Sequence, residues 1–476
     1  MTPPNGNDAS FPLRDRGEAI HCALIVPLRA RSHKEAAALL AKLCSAASVS
    51  PSSSSSSSSS SFSSSSSPAA LIDPLLYVGL LATDAADSES EFFDVANLDL
   101  QPFSSEFSTA AVWQALGQQA FDDGGAEYVA FCHSTAHALS LLEHDDWAQH
   151  MGRDFTTLAE TLAGYSRDGK AAAATTLQGF GCVALLHEAQ EGDGDDSWGV
   201  VLHRSHLTHF EGRVLPSTPL MRPDKYLYYT YAKVNAARVS ASDMLSAAAS
   251  EGTSDLQTKD QVNGGDGNKH HPQNTGQVDA LQNYLSMQGI NVAALPPSLD
   301  VVVPSYRVDS SLLSGICGGP ISANQGTVTH VVVDNPSKVR SRVTAMHRQM
   351  STTTKPVIIH VNSINQGVTS SRNRGIKASG ADWIVLQDDD VVPNPALLQA
   401  YSCVIQRHVS NGQKQLPLGF GGMIHFPAPY NGFTAAMRMS GVPNAFEIAE
   451  LTRTPVWGCT ANVCMRNGPW LRFVED

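Results

Sequence analysis

The chain has 476 residues, 42% hydrophobic and 16% charged, which is globular composition too long for one ordinary core, so two or three domains are expected. Lysine and arginine number 32 against 45 aspartates and glutamates, and the net charge of −13 argues against a surface that tracks the phosphates of DNA or RNA. The sequence carries no apolar stretch of about 20 residues, no basic-then-apolar leader and no Cys-x-x-Cys pair among its eight cysteines, so the expectation is a cytoplasmic protein with reduced thiols and no transmembrane segment; peripheral membrane association stays open.

Residues 1–20 are polar and contain proline and glycine, and read as a disordered lead-in. Structure begins at a strand over 22–27 and a helix of good formers over 33–43. Between Pro51 and Pro68 every residue is serine except Phe62, a composition that cannot offset its chain entropy by burial, so 51–68 reads as a flexible insertion. A strand over 75–81, a helix over 110–121 and a strand over 127–131 follow, and this alternation signals an α/β domain over 21–235. Residues 236–298 contain a second low-complexity stretch with His270 and His271, and read as an interdomain linker with solvated histidines. From 299 to 476 the rhythm restarts, with strands over 300–304, 330–334, 357–361 and 383–386; continuous Val and Ile runs fit a mostly parallel sheet buried on both faces.

The two halves share snippets in the same order. Ile25-Val-Pro27 recurs as Val302-Val-Pro304, Gly125-Ala-Glu-Tyr-Val as Gly380-Ala-Asp-Trp-Ile, Gly179-Phe-Gly-Cys-Val as Gly419-Phe-Gly-Gly-Met, and Trp198-Gly as Trp457-Gly. The length surplus of the first half is about the size of the serine tract, so a tandem duplication is expected. His203, His206 and His209 would fall on alternate faces of a strand, a poor geometry for a metal site.

The stretch on which function turns is Ala381 to Pro393, an apolar strand that ends in Asp388, Asp389 and Asp390. Adjacent carboxylates repel one another unless a cation sits among them, and their oxygens are the ligands that Mg²⁺ or Mn²⁺ prefers. Open α/β sheets bind ligands at the carboxyl ends of strands, which is where this triplet falls. In the first half the aligned residues are His133, Ser134 and Thr135, which cannot replace the anionic ligands.

Together, Asp300-Val-Val-Val-Pro-Ser-Tyr306, Val331-Val-Val-Asp-Asn-Pro-Ser337, Asn365-Gln-Gly367, Ser371-Arg-Asn-Arg-Gly375 and the Asp388–Asp390 strand resemble family-2 inverting glycosyltransferases of the GT-A fold. The resemblance covers 299–476 well and 20–230 in diluted form. It implies two tandem GT-A-like, Rossmann-like domains, the first degenerate. It further implies a nucleotide-diphosphosugar donor, usually a uridine nucleotide, and a Mn²⁺ or Mg²⁺ ion at the diphosphate. On that resemblance Pro304, Ser305, Tyr306, Asp334, Arg372, Asn373, Asp388 and Asp389 are nucleotide-binding, and Asp388 and Asp390 hold the metal as the ends of an Asp-x-Asp motif. An inverting hexosyltransferase also needs a carboxylate base for the acceptor hydroxyl. The family takes it from an acidic pair, for which Glu475 and Asp476 are the nearest candidates; their position suggests a domain truncated at its carboxyl terminus, and Asp476 is the catalytic candidate. Whether the acceptor is glycan, lipid or protein is not legible. A non-catalytic sugar- or nucleotide-binding protein is the alternative reading. A nucleotidyltransferase fits less well, because no glycine-rich phosphate loop accompanies the site.

Overall fold

The computed structural model describes residues 22–30, 38–39, 41–43, 75–82, 98–103, 109–123, 125–133, 135–142, 147–167, 169–186, 198–216, 220, 222–240, 275–309, 313, 316, 326–334, 357–410, 417–426, 428–441 and 459–474. The lead-in, the serine tract, the histidine pair at 270–271, Trp457 and Asp476 lie outside the described residues, and the helix expected over 33–43 lies inside them only in part.

The first unit is an α/β layer on a seven-stranded sheet. Its strands are β1 (Cys22–Ala30), β2 (Leu75–Ala82), β3 (Leu98–Phe103), β4 (Tyr128–Phe131), β5 (Cys182–Leu186), β6 (Trp198–His203) and β7 (Ala237–Val239), in the order β3-β2-β1-β4-β6-β5-β7. Strands β1 to β4 pair parallel, whereas β6 runs antiparallel to both β4 and β5. Helices α1 (Thr109–Asp122), α2 (Thr135–Leu142), α3 (Trp147–Ala163), α4 (Lys170–Thr176), α5 (Ser205–His209) and α6 (Pro223–Ala232) cover it. Two apolar cores lie against the sheet: one gathers Trp113, Phe131, Phe180 and Tyr231, and the other Leu24, Tyr128 and Phe155.

The expected linker range holds β7, which pairs with β5, and α7 (Thr275–Met287), whose Leu281 and Leu285 join the first core. The histidine series lies on a strand end and a helix rather than along a strand. His206 is buried, with Nδ1 2.9 Å from the Tyr231 hydroxyl and Nε2 2.8 Å from the Val214 carbonyl.

The second unit is a six-stranded sheet: β8 (Leu299–Ser305), β9 (Thr329–Val333), β10 (Val357–Val361), β11 (Trp383–Gln387), β12 (Gly419–Gly421) and β13 (Asn462–Arg466), ordered β10-β9-β8-β11-β13-β12. The first four are parallel and the last two pair antiparallel. Every residue of β8, β9 and β11 is buried, as their continuous apolar runs require. Helix α8 (Gly367–Ala378) crosses β8 and β9 closely because Gly375 has no side chain: a Cβ there would lie 2.4 Å from Val302 Cγ1. Helices α9 (Leu397–Ser410) and α10 (Gly432–Met439) complete the unit among the described residues.

The two sheets run in the same order over their first six strands. Ile25 pairs with Phe131 as Val302 pairs with Leu386, and in each sheet a proline follows two residues later, where it owes no N–H to that ladder. The Gly179/Gly419 pair slips in register. Gly419 stands opposite Met465 on β13 where Cys182, not Gly179, stands opposite Leu202 on β6, and Trp457 falls outside the described residues.

Helix α6 joins the units through side chains buried at the foot of the second sheet, away from its carboxyl ends. The Tyr229 hydroxyl donates to Asp300 at 2.8 Å, the Tyr228 hydroxyl donates to the Gly326 carbonyl at 3.1 Å, and the Tyr229 ring packs on Gly380. Asp300 also accepts from Ser379 and from the Val328 N–H, and His330 bridges it to His360. Burial and the neighbouring Asp300 carboxylate push the Tyr229 phenol well above its ordinary range, so it stays a donor.

Candidate functional site

The carboxyl ends of β8, β9, β10 and β11 and the first turns of α8 converge on one edge of the second unit. Ser305 closes β8, and its Oγ donates to Asp389 at 2.8 Å while accepting from the Val308 N–H at 3.1 Å. The turn so formed is strained: Val308, β-branched, has φ of 50°. It carries Arg307, whose Nη2 lies 2.8 Å from Asp389 and 2.8 Å from Asp390. Hydrogen bonds to Asp390 and then Asp389 raise the guanidinium pKa still further, so it is a permanent cation.

The three aspartates therefore have three different roles. Asp388, about one-third exposed, pairs with Arg372 on α8 at 2.7 Å. Asp389 is turned inward and held by Ser305 and Arg307, and Asp390 has a half-exposed side chain that meets the Arg307 guanidinium. Arg372 also lies over the Phe473 ring, 5.6 Å from its centroid. Asn373 exchanges two hydrogen bonds with the Phe473 backbone, both 2.8 Å, and pins the segment after β13 to α8.

Asp334 continues β9 and is buried. Its Oδ1 accepts from Asn362 Nδ2 at 2.8 Å and from the Gln366 N–H at 2.8 Å. Asn362 also reaches Ser371 Oγ, and its own carbonyl accepts from Arg374 at 2.7 Å. Pro304 lies within β8, and Tyr306 is exposed beyond it. The structure thus brings Ser305, Asp334, Arg372 and Asp388 to Asp390 to one edge, and adds Arg307, Asn362, Gln366 and Arg374. Arg307 directly follows Tyr306, and Asn362 directly follows a strand end; a strand-end position was the only sequence signal for either.

The oxygen donors here suit a hard divalent cation. Asp388 and Asp390 are the accessible pair, and the presence of Arg307 between Asp389 and Asp390 marks that place as one where positive charge is favoured. Among the described residues no three His, Cys, Asp or Glu side chains already converge as a ready metal cluster. A cation would therefore meet Asp390 in competition with Arg307.

An α/β unit with acidic residues at the carboxyl ends of parallel strands has the arrangement of a nucleotide-binding sheet. Residues 301–406 match the family described as Glycosyl transferase family 2, and this stretch is a domain of that family. Among solved structures, the mannosyltransferase PcManGT from Pyrobaculum calidifontis, in complex with GDP-Man and Mn²⁺, is similar with 13% identity and a TM-score of 0.27, covering 37% of this chain and 46% of its own. S. aureus TarS 1–349 in complex with UDP-GlcNAc is similar with 14% identity and a TM-score of 0.22, covering 28% of this chain and 37% of its own. The chain thus spans less than half the length of these structures, and likenesses of this extent assign it neither donor nor metal. No curated protein matches the sequence. No helix among the described residues is long and apolar enough to cross a membrane.

Proposed function

We propose that the second unit transfers a sugar from a nucleotide diphosphosugar, a UDP-sugar, to an acceptor hydroxyl with inversion, on a GT-A fold. The observation that carries this reading is the meeting of Asp334 and Asp388 to Asp390 at one sheet edge, inside a stretch matched to a glycosyltransferase family. Asp334 takes a nucleobase N–H, while Ser305 and the strained turn after it set the floor of the site. Asp388 and Asp390 would hold Mn²⁺ or Mg²⁺, which when bound neutralises developing charge on the leaving diphosphate. Arg372, steadied by Phe473, fixes Asp388 in place. A carboxylate must take the proton of the acceptor hydroxyl, and Asp476 is the proposed base.

The first unit is proposed to be a degenerate copy of the second. Its support is the shared strand order and the shared Ile25/Val302 register. Where the second unit has Asp388, the first has His133, which is not an anionic ligand for a hard cation.

The test is calorimetric titration of UDP with and without Mn²⁺ on wild type and Asp390→Ala. Binding that requires Mn²⁺ and weakens on the order of tenfold or more in the variant supports the reading, a loss of the size that second-shell and ligand changes at metal sites produce. Binding indifferent to both would remove the transferase site. The pairing of Asp390 with Arg307 favours one second reading, a nucleotide-binding chain that does not turn over; UDP binding without any release of UDP from UDP-sugars would select it.

A further inference from the structure

Asp334 is buried and uses its two carboxylate oxygens unequally. Both of its hydrogen bonds, from Asn362 Nδ2 and from the Gln366 N–H, arrive at Oδ1, and Oδ2 takes none from any described residue. A carboxylate oxygen offers about two lone-pair sites, so Oδ1 is full. The arrangement is rigid for reasons visible in the backbone. Asp334 N–H donates to the Ser305 carbonyl and Asn362 N–H to the Val333 carbonyl, so the parallel ladder of β8, β9 and β10 extends one residue further and sets the two side chains beside each other. Asn362 cannot turn over its amide, because its carbonyl oxygen is occupied by Arg374 Nη1 at 2.7 Å and its nitrogen also reaches Ser371 Oγ at 3.0 Å.

The geometry points to Asn362, with the Gln366 amide, as the device that selects the base of the nucleotide: by filling Oδ1 of Asp334 it leaves one oxygen to read one ring N–H, which selects uridine diphosphate. This rests on the reading of Asp334 as the base-binding residue. Uracil presents a single ring N–H between two carbonyls, and Oδ2 alone satisfies it. Guanine presents a ring N–H beside an amino group and fits a carboxylate with one donor to each oxygen; with Oδ1 full, both donors would have to crowd onto Oδ2 in poor geometry. Cytosine and adenine present an unprotonated ring nitrogen at that edge, which Oδ2 repels. Asn362 acts through Asp334 and is a positioning residue.

The same geometry makes a directional prediction for Asp334→Asn. Two N–H groups point at the Oδ1 position, so the new amide must place its carbonyl there and turn its NH₂ toward the ligand. An NH₂ in place of Oδ2 opposes the N–H of uracil and suits the ring nitrogen of cytosine.

The experiment is isothermal titration of the full chain with UDP, GDP and CDP in Mn²⁺, for wild type, Asp334→Asn and the double variant Asp334→Asn/Asn362→Ala. Wild type is expected to bind UDP at least about tenfold tighter than GDP or CDP, since a site built for one hydrogen-bonding edge rejects bases that leave it unpaired. The isosteric Asp334→Asn should reverse the order to CDP over UDP. The added loss of Asn362 leaves only the Gln366 N–H to hold the amide's carbonyl, and the reversal should shrink to within roughly threefold. Equal or preferred GDP binding by wild type, or an Asp334→Asn protein that keeps its UDP preference or weakens for all three alike, would overturn the assignment while leaving nucleotide binding intact. If wild type binds none of the three, the nucleotide reading of this site fails, and the selection device with it.

Discussion

Arg307→Gln should tighten Mn²⁺ binding, and the size of the change can be worked from the site. The side chain lies 2.8 Å from Asp389 and from Asp390, and Arg372 lies 2.7 Å from Asp388, so three carboxylates face two guanidiniums and the local charge is −1. Replacing Arg307 by glutamine keeps a hydrogen-bonding amide and makes that charge −2. For a divalent ion about 6 Å from the lost charge, Coulomb's law in water gives roughly 1.4 kcal/mol, and screening at physiological salt about halves it. The expected gain is therefore about 3- to 10-fold in affinity, the lower figure at the higher salt. Electron paramagnetic resonance of free Mn²⁺ reads the titration directly, with wild type, Arg307→Gln and Arg307→Lys compared at low and high salt. Arg307→Lys should stay near wild type. An unchanged or weaker affinity in Arg307→Gln, in a protein whose melting is unaltered, would refute the idea that this guanidinium competes with the cation.

Two further expectations concern the scaffold. His206 is lowered to about 3, chiefly by burial against the opposing pull of the Val214 carbonyl, and His209 is lowered to about 4 by burial, from an ordinary 6.5. Both must be neutral in the fold, so below pH 6.5 the unfolded chain takes up protons that the folded chain does not. Their contribution is complete above pH 6.5 and is lost as pH falls toward 4 and 3; at pH 5 each costs roughly 2 kcal/mol, to be read in urea melts at pH 7.5 and 5. Replacement of both by glutamine should flatten that dependence, and a melt insensitive to pH in wild type would count against the assignment. Gly380→Ala sets a Cβ 2.5 Å from the Tyr229 ring, which its hydroxyl bond to Asp300 prevents from retreating. Overpacking of this kind costs about 1–3 kcal/mol, so thermal denaturation should move to lower temperature, and an unchanged midpoint would show the ring to be free to shift.

The parallel strands β1, β2, β4 and β8 to β11 were readable as continuous apolar runs, the form a strand buried on two faces must have, whereas β3, β5 to β7, β12 and β13 were not. The acidic triplet was readable because like charges side by side at a strand end need a stated partner. What composition could not show was which partner. Arg307 and Asp389 are 82 residues apart in the chain, Asn362 and Asp334 28 apart, and Tyr229 and Asp300 71 apart. Pairings over such distances are made by strand register rather than by local pattern. The register also corrects the sequence on its own ground. Ile25 and Val302 hold equivalent places because each anchors the ladder to the strand beside it, whereas the glycine snippets lie by antiparallel strands, whose alignment slips without moving that edge. The shared strand order thus survives even where the glycine snippets fall out of register. At the equivalent strand end the two units differ in one feature that local sequence does show: His133 stands in the first where Asp388 stands in the second.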